Sequence, residues 1–154
     1  MIRFLFLCMA LPMVAPAAVL HVNGGSIQSA IDAAEPGDQI VVTSGTYPGD
    51  LVIDKTILLE GIGKPVIRGS GRRSVITVTA TGCLVKGFVI EGSGSDLQSE
   101  HSGILLKSDR NRIESNELRD VLFGIYLFQS DENLIRGQSI YGRSYLESGE
   151  RGSG

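Results

Sequence analysis

The chain of 154 residues has room for one domain of ordinary size and not for two independent cores. Hydrophobic residues at 42% and charged residues at 20% exclude a disordered tail and a polytopic membrane protein. Fourteen basic side chains against seventeen acidic ones exclude the basic face of a nucleic-acid binder. Twenty glycines without a triplet period exclude collagen and imply many turns.

The chain opens with Arg3, an apolar run from Phe4 to Leu11, and the small-residue ending Ala15-Pro16-Ala17. That order is expected of a secretory signal peptide over residues 1–17, cleaved after Ala17, leaving a domain over residues 18–154. The run is too short for a stable membrane anchor, so no span is expected after cleavage. Cleavage would remove Met1, Met9, Met13 and Cys8, so Cys83 is left as a lone thiol with no internal disulfide to form.

Ser26 to Ala34 reads as a short amphipathic helix, capped by Ser26 and stopped at Pro36-Gly37, with Ile27, Ala30, Ile31 and Ala34 on one face. Strand-like stretches follow at Gln39–Val42, Leu51–Ile53, Thr56–Leu59, Val66–Ile67, Ser74–Val78, Cys83–Val85 and Phe88–Ile90, each bounded by turn residues. From Gly103 the pattern repeats. Gly103-Ile104-Leu105-Leu106 and Ser108-Asp109-Arg110-Asn111-Arg112-Ile113 return as Gly124-Ile125-Tyr126-Leu127 and Ser130-Asp131-Glu132-Asn133-Leu134-Ile135. Glycine to glycine is 21 residues, and asparagine to asparagine is 22.

A strand-and-turn repeat at that interval predicts an all-β, right-handed parallel β-helix, one repeat per coil, with the N-terminal helix capping its first coil. A sandwich or barrel is the alternative. Ile104, Leu106, Ile113, Ile125, Leu127 and Ile135 are the expected core stack. Ser108, Asp109, Asn111, Ser130, Asp131 and Asn133 are the expected turn ladder, in which the asparagines satisfy corner backbone and tolerate a left-handed conformation. The polar stretch Gly142–Gly154 should lead into another Gly-Ile strand. The domain therefore reads as the N-terminal part of a longer one, truncated at its C-terminal end.

Ile27 to Ala34, Pro36-Gly37-Asp38-Gln39-Ile40-Val41-Val42 and Gly45-Thr46-Tyr47 resemble the entry segment of pectin-lyase-like β-helix proteins. The Gly-Ile strands and Ser-Asp-x-Asn turns resemble the carbohydrate-binding and sugar-hydrolase (CASH) repeat. Phe123 to Leu127 and Glu150-Arg151-Gly152 look most like the NosD family, periplasmic accessory proteins of nitrous-oxide reductase. That resemblance implies a scaffold without a catalytic centre. It would work with the ATPase and membrane subunits of an ABC transporter to supply copper to the reductase. Family members are longer than this chain, with further coils and a C-terminal part.

The residues themselves offer little for copper. After cleavage there is no Met, one Cys and two histidines, His21 and His101. Cys83 reads as a small core hydrophobe, and no high-affinity copper site is expected. Asp96, Glu100 and His101 stand in the polar insertion Gly92–Ser102 as weak candidates for a metal or protein contact, against the reading of a solvated loop. The runner-up is a lyase or epimerase acting on acidic polysaccharides, or a carbohydrate-binding module. Arg72, Arg73, Arg110, Arg112, Asp96, Glu100 and Asp109 supply the residue types, and no spacing fixes a catalytic set.

Overall fold

The computed structural model describes residues 16–143. Residues 1–15, which hold nearly all of the expected signal peptide, and residues 144–154 of the polar tail lie outside the described residues. The described chain opens with β1 (Val19–Val22) and α1 (Ile27–Ala33). Three-strand coils follow: β2 (Gln39–Val42), β3 (Thr46–Pro48) and β4 (Leu51–Ile53); then β5 (Leu58–Gly61), β6 (Val66–Arg68) and β7 (Ile76–Val78). The next two are β8 (Leu84–Lys86), β9 (Val89–Glu91) and β10 (Ser102–Leu106); then β11 (Arg112–Glu114), β12 (Glu117–Arg119) and β13 (Phe123–Leu127). β14 (Leu134–Arg136) and β15 (Ser139–Tyr141) complete it. Equivalent strands pair in parallel into three sheets, ordered β1-β2-β5-β8-β11-β14, β3-β6-β9-β12-β15 and β4-β7-β10-β13. The chain is a parallel β-solenoid.

Period-two alternation turns every second side chain inward, and exact register stacks those side chains into columns. In the first sheet Leu20, Ile40, Leu59, Val85, Ile113 and Ile135 lie one above another. In the third, Leu51, Ile76, Ile104 and Ile125 form one column and Ile53, Val78, Leu106 and Leu127 another. Ile104, Leu106 and Ile113 are fully buried, worth roughly 1.5–3 kcal/mol each in apolar burial. Leu127 and Ile135 keep the inward register but are 43% and 38% exposed, because they belong to the last described coils, with no described strand above them. The helix seals the other end. Ser26 Oγ accepts the N–H of Ser29, and Ile27 and Ile31 are buried against the first coil.

Sequence reading placed most strands within two residues and missed β1 and β3. Turns were drawn correctly in place but not in conformation. The left-handed residues are Arg110 (φ 56°) and Glu132 (φ 57°), each just before the asparagine. Asn111 and Asn133 instead supply hydrogen bonds. Asn111 Oδ1 accepts the N–H of Cys83 at 2.9 Å, and Asn133 Oδ1 accepts the N–H of Asn111 at 2.9 Å. One sheet further on, Asn116 does the same for Phe88 at 3.0 Å and Gln138 for Asn116 at 3.2 Å.

Charged side chains on the outer faces alternate in sign down the stack. Glu91 lies between Arg68 and Arg119, with a 2.8 Å contact to each. In the first sheet Glu60, Lys86, Glu114 and Arg136 succeed one another in register, Glu114 binding Arg136 of the next coil and Arg112 of its own strand.

Candidate functional site

The link between β9 and β10 runs over residues 92–101, where the equivalent link between β12 and β13 needs only residues 120–122. The insertion is anchored where it leaves the solenoid. Gly94 N–H donates to the Arg73 carbonyl at 2.8 Å, and Leu122 N–H donates to Ser93 Oγ at 2.9 Å. Arg143, only 4% exposed, donates to the Ser93 carbonyl at 2.6 Å, the Gly94 carbonyl at 3.1 Å and Ser95 Oγ at 2.9 Å. Its Nε lies 3.4 Å from the Asp120 carboxylate.

Farther out, the insertion carries Asp96, Glu100 and His101, and the structure sends the three in different directions. Asp96 accepts the Ser99 hydroxyl and the Gln98 N–H, and these bonds hold its carboxyl below the usual aspartate range. His101 Nδ1 accepts the Asp96 N–H at 3.4 Å, which places the proton of the neutral ring on Nε2. Glu100 accepts the hydroxyl of Tyr126, and that bond pushes the phenol's pKa up. Among the described residues no three His, Cys, Asp or Glu side chains gather closely enough to hold a metal ion. His21 is exposed on β1 at the opposite end of the stack.

What the insertion builds is one wall of a groove. The outward residues of the third sheet, Val52, Thr77, Leu105 and Tyr126, lie in register, and Thr77 and Leu105 form its floor. Arg72 and Arg73 on the turn before β7, together with Ser99 and His101, form one side, and Lys107 after β10 forms the other. The enclosed volume is about 340 Å³. Arg73 is 4.0 Å from Asp50, and Lys107 sits over the ring of Phe128 at 5.6 Å. The groove is a cationic cleft with an aliphatic floor, suited to carboxylate-bearing ligands.

Of the residues the sequence singles out, Arg72, Arg73 and His101 line this groove, Asp96 and Glu100 stand on the insertion beside it, and the shared wall of turn and insertion is visible only in the fold. Sequence reading missed Lys107, Thr77, Leu105 and the anchor Arg143. The outward register of Thr77 and Leu105 was available from alternation. Nothing local in sequence connects Arg143 to Ser93.

Arg110, Arg112, Asp109 and Asp131 lie away from the groove lining, in the corner and on the first sheet. Asp109 accepts the Asp131 N–H at 2.8 Å, which is corner chemistry. Cys83 is buried, its Sγ within 3.5 Å of the Lys55 and Ala80 carbonyls, and burial raises its thiol pKa.

Comparison with known proteins places this geometry. No protein-family profile matches the chain. It is 27% identical over 113 residues to the "Probable ABC transporter binding protein NosD" of Stutzerimonas stutzeri, covering 72% of this chain and 26% of that protein. The Pseudomonas aeruginosa protein of the same description is 27% identical over 115 residues, covering 73% and 27%. A cell surface glycoprotein of Methanothermus fervidus is 31% identical over 78 residues, 49% of this chain and 13% of its own length. The chain thus spans about a quarter of the length of the NosD proteins it matches.

Among solved structures, the chain is similar to an alginate lyase from Paenibacillus sp., with TM-score 0.65, 22% identity, and 79% and 44% of the two chains covered. It is also similar to a pectin methylesterase variant bound to a hexasaccharide, with TM-score 0.55, 15% identity, and coverage of 86% and 51%. These structural matches show a β-solenoid fold shared with both proteins and nothing about chemistry.

Proposed function

We propose that this chain is a NosD-like accessory scaffold: an exported β-solenoid that does no bond chemistry and presents a binding surface to the subunits of an ABC transporter. The observation that carries this reading is the sequence match to two proteins described as ABC transporter binding proteins, which extends over nearly three quarters of the chain. In this reading the assembly supplies copper to nitrous-oxide reductase in the periplasm, and copper is cargo of the system. The chain's own residues do not fit a copper site. Its thiol is buried among carbonyls, its two histidines lie at separate places, and Met occurs only in residues 1–13.

The test is co-purification of the tagged protein with the ATPase and membrane subunits of an ABC transporter from its host, together with the copper content of nitrous-oxide reductase in a strain lacking it. Retention of both subunits and a copper-depleted reductase are expected. A fully copper-loaded reductase with no transporter retained would sink the reading.

A second reading is favoured by the groove itself, since Arg72, Arg73 and Lys107 supply the charges that recognise acidic polysaccharides. Unsaturated uronate absorbance on incubation with polyuronates, with or without calcium, would establish it in place of the first.

A further inference from the structure

We propose that the groove over the third sheet is the docking site for an extended acidic segment of a partner protein, one that alternates carboxylate and aliphatic side chains. The proposal rests on the accessory-scaffold reading for the protein nature of the ligand. The charge of the groove stands independently of it.

Charge comes first. Arg72, Arg73 and Lys107 are exposed around one cleft. Among the described residues neither Arg72 nor Lys107 meets a carboxylate, and Arg73 has only the 4.0 Å approach to Asp50. On the strands of the other two sheets, by contrast, the cations are paired with carboxylates, as at Arg68–Glu91–Arg119 and Arg112–Glu114–Arg136. Two cations without a carboxylate partner, Arg72 and Lys107, and one loosely held by Asp50, Arg73, thus meet at one cleft of a chain with net charge −3. The insertion's own carboxylates are engaged elsewhere, Asp96 by Ser99 and Gln98 and Glu100 by Tyr126; this is where an anion is received.

The floor decides between a peptide and a sugar. Thr77 and Leu105 present a methyl-rich strip between the charged walls. A pyranose ring packs best on an open aromatic face, and the aromatic rings nearby are engaged. Phe128 lies under the Lys107 ammonium, and Tyr126 is tilted against Phe123 at 5.9 Å with its hydroxyl held by Glu100. An extended segment, by contrast, turns alternate side chains to opposite faces. It sets aliphatic groups on the strip while its carboxylates reach the walls. The insertion holding His101 and Ser99 is fixed to the solenoid through Arg143, so this wall stands preformed before any ligand arrives.

The test is fluorescence anisotropy of a labelled peptide alternating Glu and Val, titrated with the full chain. A Lys-Val peptide and an oligogalacturonate are the comparisons. The acidic peptide is expected to bind and the Lys peptide not. Affinity should fall at least about tenfold in the R72S/R73S/K107S variant and recover in part in R72K/R73K/K107S. It should also fall when salt rises from about 50 to about 500 mM, which shortens the screening length severalfold. Lys107→Glu, a single exposed change, gives the same readout should the triple variant not fold.

Absence of acidic-peptide binding, equal binding to the variants, or tighter binding of the oligogalacturonate would overturn the proposal. Peptide binding without transporter co-purification would sink the accessory role and leave the groove as a docking site. Transporter retention unchanged by Lys107→Glu would do the reverse.

Discussion

Asn133 gives its side-chain oxygen to the backbone N–H of Asn111, 2.9 Å away in the coil below, and Asn111 does the same for Cys83. At this corner the strands of one coil have ended, and the sheet ladder no longer satisfies the backbone. A side-chain amide replaces the missing carbonyl. Asn111 is fully buried, and its Nδ2 donates to the Ser108 carbonyl at 2.9 Å and Oγ at 3.0 Å, so every polar atom of the amide is used.

Asn111→Ala therefore leaves the buried Cys83 N–H without a partner, while the Ser108 carbonyl keeps Asn133 Nδ2 and the Ser108 hydroxyl keeps the Ala80 carbonyl; the loss is expected to cost about 2–3 kcal/mol. Asn133→Ala should cost less, about 1 kcal/mol, because Asn133 is only partly buried. Urea denaturation of both variants measures this. Equal and small shifts in midpoint would show that the ladder is not where the corner's stability resides.

Arg110 and Glu132 occupy the left-handed position that Gly82 fills in the coil below, at φ 56°, 57° and 74°. A side chain there carries a strain of about 1–2 kcal/mol, partly offset because glycine has more freedom to lose on folding. Arg110 and Glu132 are exposed. Replacing either by glycine is expected to raise stability by about 0.5–1 kcal/mol, seen as a small rise in Tm. A fall in Tm for both would show that their side chains make a contribution beyond backbone conformation.

The contrast between these two corner residues shows what was legible in the sequence. Recurrence of Ser-Asp-x-Asn at a 22-residue interval was enough to stack Asn111 under Asn133, because a solenoid allows little else at that period. Which residue turns left-handed was not legible, since Arg and Glu carry no propensity for it and are forced there by the coils on either side. The groove was half visible for the same reason. Its outward floor follows from alternation within each strand, whereas its walls come from a turn and an insertion separated by the three strands β7, β8 and β9. Their juxtaposition exists only after β7 and β10 pair. Arg143 lies 50 residues from Ser93 and could be placed only by the stack.

Acid should loosen the outer charge ladders. Burial works against ionisation of Glu91, but the guanidinium groups of Arg68 and Arg119 outweigh it and hold its carboxyl below the ordinary value of 4.5. For Glu114 the hydrogen bond from Arg136 leads, joined by Arg112, with the same net direction. A carboxyl depressed on folding contributes fully above its unfolded pKa, and the contribution is lost as pH falls through the folded one. Tm is therefore expected to be level from neutral pH down to about 5 and to fall below about 4.5. The E91Q/E114Q variant should begin with a lower Tm at neutral pH and show a shallower acid slope. An unchanged slope would place the acid sensitivity in other carboxylates.

Cys83 tests the core and the copper reading together. Its thiol lies in the corner column above Ile57, fully buried, with burial raising its pKa away from the thiolate that metals and alkylating reagents require. In the folded chain it should resist a thiol-specific disulfide reagent at neutral pH, reacting at the rate of global opening and at once in denaturant. Copper(I) should likewise fail to bind the folded chain tightly, and Cys83→Ala should leave whatever weak copper binding exists unchanged. The same replacement removes a well-packed group from the stack and is expected to cost about 1 kcal/mol. Rapid labelling of the native thiol, or loss of copper affinity in the alanine variant, would mean that the column opens at this corner. The chain would then take a direct part in handling the metal.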